Sequence, residues 1–150
     1  MPRVWSGTEP RPDQKWSYAS YGRQHHIEIF GKPDLQGSAD PAFRGEGGKH
    51  NPEDLFLAAL SGCHLLSYLA LCARKGIRII AYEDEARGVL KLDSSGGGKF
   101  ESVTLHPHVT IDDEKNRALA LQLHEEAHHQ CFIANSSSVP INHEPVIDVA

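Results

Sequence analysis

The sequence predicts an α+β fold, and three observations lead to that prediction. One long segment, residues 51–76, has the composition and the end residues of a buried helix. Residues 77–92 and 99–111 contain alternating apolar and polar side chains, as strands do. A second helical segment, residues 112–130, follows those strands, and residues 139–149 can supply a last strand. Strands and helices therefore form separate runs, which is typical of α+β domains.

The first fifty residues are predicted to be mostly irregular. Residues 1–14 contain three prolines and many polar groups, and predict a flexible arm or a loose strand. Residues 15–30 are rich in aromatic and β-branched side chains around Gly22, which predicts two strands or a hairpin. Residues 31–50 contain five glycines and predict a long loop, and long loops in compact domains are often functional.

The first helix has favourable residues at both ends. Asn51 is a good N-cap and Pro52 occupies the first helical position, where proline is preferred. Gly76 follows a basic last turn and is a natural stop. Between these ends the side chains are apolar nearly all round, which predicts a helix buried at the centre of the fold.

The second helix is predicted to begin at residue 112 or 113 and to end near residue 130. Its apolar side is formed by residues at helical spacing: Ala120, Leu123 and Ala127. One more step along the same side reaches Cys131.

Length and composition limit the possible functions. A chain of 150 residues predicts one domain over residues 1–150. Fifteen basic and 20 acidic side chains give a net charge of -5, which argues against nucleic-acid binding. The mean hydropathy of -0.42 and the lack of a run of 18 apolar residues argue against a membrane span. With no apolar signal-peptide segment, we expect a cytoplasmic protein with reduced thiols.

The three cysteines have different settings. Cys63 and Cys72 lie nine residues apart on one helix, which separates them by about 13 Å and excludes a disulfide between them within one chain. Cys72 is therefore predicted to be a small buried apolar residue. Cys131 lies at the end of the second helix, and it could face Cys63 if the two helices pack together. Such a pair is either a redox couple or two buried structural cysteines.

Three segments resemble the OsmC/Ohr family of thiol peroxidases. They are NPEDLFLAALSGCH at residues 51–64, FRGE at residues 43–46 and AHHQCFIANS at residues 127–136. The resemblance covers roughly residues 15–150. It implies an intertwined homodimer in which antiparallel β-sheets wrap around two central helices. It also implies reduction of organic hydroperoxides by a cysteine pair and recycling by an external dithiol, such as a lipoylated protein, with neither a cofactor nor a metal.

The resemblance also implies roles for particular residues. Cys63 matches the peroxidatic cysteine, Cys131 the resolving cysteine and Glu53 the glutamate at the start of the helix. Arg44 matches the catalytic arginine of one branch of the family, and Arg23 is the alternative because another branch takes its arginine from an earlier strand. His64 departs from the family pattern, in which an apolar residue follows the cysteine.

This residue set suits thiol chemistry. The thiolate is the form that attacks a peroxide, and burial among apolar side chains disfavours it. An arginine beside Cys63 would stabilise the thiolate and hydrogen-bond the peroxide, and Glu53 would orient and neutralise that arginine. Phe43, Phe56 and Phe132 are candidates for an apolar wall that favours organic hydroperoxides, or alternatively plain core residues.

One helix cannot bring Glu53 and Cys63 together. They lie ten residues apart, which is about 15 Å along the helix axis. An antiparallel copy of the helix across a two-fold axis would bring Glu53 of one chain toward Cys63 of the other. We therefore expect the active site at a dimer interface.

The histidines suggest rival functions. His124 to His128 read H-E-x-x-H, a zinc-protease pattern, but no third ligand is marked downstream. A structural metal site could form from His64, His128, His129 and Cys131 if the helices pack. A non-catalytic redox sensor or ligand-binding module is the other alternative. His106 and His108 share one face of a strand and predict a solvated surface, whereas His25, His26, His50 and His143 show no specific pattern.

Overall fold

A computed structural model describes residues 1–6, 13 and 15–150 of the chain. The chain forms two compact units, Met1–Phe56 and Leu57–Ala150. Helices and several small sheets coexist, with the helices gathered in runs between the strands, which confirms the α+β class. The single domain over residues 1–150 stays a prediction.

The first unit contains one three-stranded antiparallel sheet. Strands β1 (Pro2–Trp5), β2 (His25–Ile29) and β3 (Leu35–Gly37) lie in the order β1-β2-β3. Strand β1 falls inside the segment predicted to be an arm or loose strand. The rest of that segment, residues 7–12 and 14, lies outside the described residues.

The prediction of two strands within residues 15–30 is wrong, because this segment contains only β2. Trp16 and Tyr21 stack instead, with their ring centroids 5.2 Å apart, and Tyr18 meets Tyr21 edge-on at 6.3 Å. A turn between them is closed by the backbone hydrogen bond from Ser20 to Ser17, of length 3.0 Å. The aromatic residues that suggested a strand are used to pack a turn.

Helix α1 (Pro52–Arg74) begins and ends as predicted. The Asn51 side-chain oxygen accepts a hydrogen bond from the Asp54 backbone N–H at 2.7 Å. Gly76 follows the helix with a φ of 71°, a left-handed conformation that glycine adopts without strain.

Helix α1 is less buried than its composition predicts. Its most apolar 18-residue window has a mean hydropathy of 1.8, yet 28% of that window is buried. By length and composition it could cross a membrane, a property shared by core helices of soluble proteins. The buried side chains follow one face: Leu60, His64, Tyr68, Leu71 and Cys72. On another face Leu66 is 69% exposed, so this chain covers only part of the helix.

The second unit contains two three-stranded sheets. Strands β4 (Ile79–Asp84), β7 (Pro107–Ile111) and β9 (Val146–Val149) form one of them in the order β4-β7-β9. Strands β5 (Arg87–Leu92), β6 (Gly98–Leu105) and β8 (Ile141–His143) form the other in the order β5-β6-β8.

Each predicted long strand is divided into two, so that its halves join different sheets. The divisions meet at Asp84, whose carboxylate accepts hydrogen bonds from the His106 backbone N–H at 2.7 Å and from the Ser61 hydroxyl at 2.5 Å. The sheets are also mixed rather than purely antiparallel, because β6 pairs with β8, and β7 with β9, in parallel. Parallel neighbours need a crossover connection, which helix α2 (Arg117–Gln130) supplies here.

Helix α2 starts later than predicted, because a 3-10 turn at Glu114–Asn116 precedes it. A four-residue helix, α3 (Phe132–Asn135), follows it directly. The core of this unit lies between α1, α2 and the β4-β7-β9 sheet. Its buried members include Tyr68, Leu71, Cys72, Val109, Ile111, Ala120, Leu123, Ala127 and Ile147. The predicted burial of Cys72 is confirmed, at 0% exposure.

Candidate active site

Two cysteines that are distant in sequence meet in the second unit. Cys63 lies on the part of α1 that belongs to this unit and is half-buried, whereas Cys131 is 1% exposed at the junction of α2 and α3. Cys63 lies close enough to Cys131 to raise its pKa, and hydrogen bonds between His64 and His124 and from Tyr68 to Ala120 join the two helices. The packing of the two helices that would bring these thiols together is therefore present in the structure.

The Cys131 thiol is held by both helix ends. Its backbone N–H donates to the His128 carbonyl at 3.2 Å, which closes α2, and its sulfur accepts from the Ala134 N–H at 3.4 Å, which caps α3. Burial raises the pKa of Cys131, and the neighbouring Cys63 side chain raises it further. Cys131 is thus a protonated donor at neutral pH, and a poor first attacker on a peroxide compared with the more exposed Cys63.

A groove of about 520 Å³ opens at Cys63. Its apolar lining includes Leu66, Ala70 and Phe132, of which Phe132 is 79% exposed. Arg74 and His129 supply basic groups to the same lining. Phe132 is thus the member of the predicted apolar wall that lies beside Cys63 in this unit.

The two candidate arginines lie in the first unit and share one aromatic neighbour. The Arg23 guanidinium lies 4.0 Å from the Tyr21 ring centroid and 4.8 Å from that of Tyr18, and it donates to the carbonyls of both residues. Arg44 lies 5.7 Å from the Tyr18 centroid, in a left-handed conformation with φ 64°.

A cleft of about 530 Å³ in the first unit distinguishes the two candidate arginines, because one of them lines it. Arg23 and Glu53 both line it, together with Phe43. Arg44 is not among the described residues of its lining. The prediction paired Glu53 with Arg44 first, whereas the cleft places Glu53 with the alternative, Arg23.

A histidine cluster consists of His64 on α1, His124 and His128 on α2, and His143 on β8; His64 and His124 are buried, and the other two are half-buried. His64 Nε2 and His124 Nδ1 are 3.0 Å apart and form a hydrogen bond. Both side chains are at most 1% exposed, and the His124 ring stacks on Tyr68 with centroids 3.8 Å apart. Centroids of His143 and His64 are 5.7 Å apart, and those of His143 and His128 are 5.4 Å apart.

Burial keeps the two bonded histidines neutral. It lowers the pKa of His64 to about 4 and that of His124 to about 3, and the neighbouring imidazole of His143 adds to both shifts. Asp84 opposes the shift of His64. At neutral pH one imidazole of the pair donates to the other, so their tautomers are linked.

The histidines of the H-E-x-x-H segment pack in the second unit, where His124 is buried and His128 is half-buried. The carboxylate oxygens of Glu125 lie 3.3 Å from His129 Nε2 and 3.2 Å from His143 Nε2. Within residues 1–6, 13 and 15–150, no group of three or more His, Cys, Asp or Glu side chains is arranged to hold a metal ion.

Sequence reasoning missed His143 and underrated His124. His143 stands on a strand of three residues with no pattern around it, and only the parallel pairing of β8 with β6 brings it to α1 and α2. His124 had a usable signal, since it follows Ala120 by four residues on the apolar side of α2. The prediction of a solvated surface for His106 and His108 holds for His108, which is half-exposed and forms a 2.6 Å contact with Asp148. His106 is less exposed, and its ring forms a 2.9 Å hydrogen bond with the Glu85 carbonyl.

The family model and the solved structures that match this chain indicate the same protein family. Residues 45–144 match the model of the family described as OsmC-like protein. An OsmC-like protein of unknown function from Vibrio cholerae is 28% identical, with a TM-score of 0.87 over 97% of this chain and 97% of that chain. No curated protein matches the chain.

Two solved structures described as organic hydroperoxide resistance proteins share the fold. The OsmC protein from Legionella pneumophila is 22% identical, with a TM-score of 0.71 over 99% of this chain and 96% of that chain. The OhrB protein from Bacillus subtilis is 24% identical, with a TM-score of 0.62 over 100% of this chain and 98% of that chain. At these identities the likeness shows the fold alone.

Proposed function

This chain belongs to the OsmC-like protein family, which includes organic hydroperoxide resistance proteins, and we propose that it is a cysteine-based thiol peroxidase that reduces organic hydroperoxides to alcohols. One observation supports this proposal above the others. Cys63 and Cys131 belong to different helices, yet they are close enough that Cys63 raises the pKa of Cys131, and Cys63 lines a groove.

The proposed cycle has three balanced steps. The Cys63 thiolate attacks the distal peroxide oxygen, an S–O bond forms as the O–O bond breaks, and the leaving alkoxide takes a proton to become the alcohol. Cys131 then attacks the Cys63 sulfenic acid, so that an S–S bond forms and water leaves. An external dithiol reduces this disulfide to two thiols and is itself oxidised to a disulfide.

The different exposures of the two thiols support this division of roles. Cys63 is reachable from the groove, so that it can meet a substrate, whereas Cys131 is buried and protonated beside it. An apolar groove lining favours a hydroperoxide that carries a hydrocarbon group, since burial of that group against Leu66, Ala70 and Phe132 adds binding energy that hydrogen peroxide lacks.

For activation of Cys63 we propose an arginine that is oriented by Glu53. Arg44 is the first candidate from the family resemblance and Arg23 the alternative, which the shared cleft with Glu53 favours. A guanidinium remains charged at neutral pH and can stabilise the thiolate while it donates to the peroxide. Kinetics of Arg23→Met and Arg44→Met discriminate between them, because only the catalytic arginine should lower the rate of Cys63 oxidation by tenfold or more, about the loss expected for a charge-assisted hydrogen bond.

We further propose that the active form is a homodimer. Leu66 on α1 is 69% exposed, and the apolar side chains Val89, Leu90 and Leu92 of β5 are each at least 37% exposed. Apolar surface of this extent on a helix and a strand favours a second copy as its cover. We expect a cytoplasmic protein that contacts its dithiol reductant, such as a lipoylated protein, but neither nucleic acid nor a membrane.

Consumption of an organic hydroperoxide in the presence of a dithiol tests the proposed activity. Cys63→Ser should abolish turnover, because no nucleophile remains, and Cys72→Ser should leave it unchanged as the matched control. Cys131→Ser should still consume about one equivalent of peroxide, because Cys63 can be oxidised once. Turnover should then stop if the dithiol reduces only the Cys63–Cys131 disulfide, which this variant cannot form. Full turnover by Cys63→Ser would contradict the proposal.

A redox sensor is the alternative function. It would share the oxidisable Cys63–Cys131 pair but would not turn over with any dithiol. The same assay separates the two functions, since a sensor forms the disulfide once and consumes a single equivalent of peroxide.

A further inference from the structure

The His64–His124 hydrogen bond ties the two cysteine-bearing helices together. Both imidazoles are buried, and their nitrogens approach to 3.0 Å across the α1–α2 interface. Their remaining nitrogens, His64 Nδ1 and His124 Nε2, have no hydrogen-bond partner among the described residues. Burying two such atoms costs free energy, and the hydrogen bond within the pair recovers only part of it.

Each histidine of the pair lies on the same helix as one of the two cysteines, at a fixed spacing from it. His64 directly follows Cys63 on α1. His124 precedes Cys131 by seven residues, so that two helical turns place both on the same side of α2. A shift of α2 along α1 therefore changes the His64–His124 distance and the Cys63–Cys131 distance together.

Other polar groups face the pair from every neighbouring element. His143 comes from β8, His128 from α2 and Asp84 from β4, and Tyr68 of α1 stacks on His124. Glu125 holds His143 on the far side through a 3.2 Å contact with its Nε2. The Asp84 carboxylate favours protonation of His64, whereas the imidazoles of His143 and His128 disfavour it.

We propose that His64 and His124 are positioning residues for the resolving step: their buried hydrogen bond holds the end of α2, and with it the Cys131 thiol, against Cys63. The proposal rests on the proposed peroxidase function for its catalytic meaning, although the positioning itself is independent of any substrate. The pair acts before and after oxidation of Cys63, since neither imidazole exchanges atoms in the reaction.

Acid should release this contact. When the pair separates, each histidine regains an ordinary pKa near 6.5, whereas His64 within the pair has a pKa of about 4. At about pH 5 the separated state is therefore favoured about twentyfold more than at pH 7, for His64 alone. Cys131 should become more accessible to reagents by a similar factor.

The test needs a pair that keeps the hydrogen bond and cannot be protonated. His64 uses Nε2 and His124 uses Nδ1, so His64→Gln and His124→Asn place amide groups at about those atoms. Both are combined in a Cys63→Ser, Cys72→Ser background, where Cys131 is the only thiol. His108→Gln, on the half-exposed histidine of β7, is the matched control.

Dithiodipyridine forms a mixed disulfide with Cys131 and releases thiopyridone, whose absorbance gives the rate. Relative to a cysteine peptide, we expect a rise of roughly ten- to thirtyfold between about pH 7 and pH 5 with His64 and His124 present, and less than about twofold in the Gln–Asn variant. An equal rise in both proteins would overturn the proposal. If the double variant does not fold, His64→Gln and His124→Asn are compared singly, and each should reduce the rise only in part, because one buried imidazole remains in each.

A second measurement connects the pair to the chemistry in the protein with all three cysteines. His64→Leu should slow formation of the Cys63–Cys131 disulfide by about tenfold or more while formation of the Cys63 sulfenic acid changes less than about twofold. Equal slowing of both steps would overturn the positioning role. If no hydroperoxide oxidises Cys63, the peroxidase proposal fails, and the reagent experiment still decides whether the pair positions Cys131.

Discussion

Acid sensitivity of folding is the sharpest consequence of the buried histidine pair. His64 and His124 are at most 1% exposed and are held neutral by burial, with pKa values of about 4 and about 3. In the unfolded chain both return to about 6.5. Below that pH the unfolded state binds protons that the folded state does not, so stability is fully present above about pH 6.5 and is lost progressively as the pH falls toward 4.

The magnitude follows from the pKa of His64. At about 1.4 kcal/mol for each pH unit, the fall from 6.5 to about 4 makes its contribution about 3 kcal/mol when titration is complete. His124 acts in the same direction, since burial lowers its pKa and the neighbouring His64 lowers it further. A loss of about 3 kcal/mol is a large share of the stability of an ordinary domain.

Urea unfolding at several pH values between about 7 and 4.5, followed by circular dichroism, measures this loss. His64→Gln should reduce the dependence by the contribution of His64, because an amide does not titrate while His124 remains, whereas the exposed-histidine control His108→Gln should retain all of it. Identical pH dependences for the protein and for His64→Gln would refute the reasoning, since the buried imidazole would then contribute nothing to the acid effect.

Three further perturbations test individual contacts. Tyr68→Phe removes a buried hydroxyl that donates to the Ala120 carbonyl at 3.0 Å, and should cost about 1 kcal/mol in urea unfolding; a stabilised variant would contradict this account of the core. Asn51→Ala removes the cap on Asp54 and should cost about 1 kcal/mol, with Asn51→Ser as the control that retains most of it. Leu66→Asp should shift the protein from dimer to monomer in sedimentation without unfolding it, and an unchanged mass would remove α1 from the proposed interface.

The first helix was predictable because its signals are local. Asn51, Pro52 and Gly76 define its ends through backbone hydrogen bonds and conformations that involve only near neighbours. The extent of its burial was not predictable, because an all-round apolar composition does not say which faces the same chain covers. One face packs against α2 and a sheet, and Leu66 on another face remains exposed.

The strands were predicted less well, for reasons that lie far along the chain. The divisions of the two long strands depend on Asp84 accepting hydrogen bonds from His106 and Ser61, which are 22 and 23 residues away. The parallel pairing of β8 and β9 depends on the crossover through α2. No local pattern marks either feature, so periodicity located the strands and missed their boundaries and directions.

The candidate site shows the same division. Helix spacing excluded a Cys63–Cys72 disulfide and left Cys131 as a possible partner of Cys63, and the resemblance to the OsmC/Ohr family implied their pairing. His143 was not accessible to sequence reasoning, since its place in the histidine cluster comes from tertiary pairing alone. For Glu53, the sequence offered both Arg44 and Arg23, and only the three-dimensional cleft in the first unit favours Arg23.

The central claim is that Cys63 and Cys131 form one redox pair. Its most direct test is to add one equivalent of an organic hydroperoxide to the fully reduced protein and to map the cysteines by mass spectrometry. We predict loss of two hydrogens from the intact mass, a peptide cross-link between Cys63 and Cys131, and a free Cys72. A Cys63 that is oxidised to sulfinic acid beside a free Cys131, or a cross-link that includes Cys72, would contradict the claim.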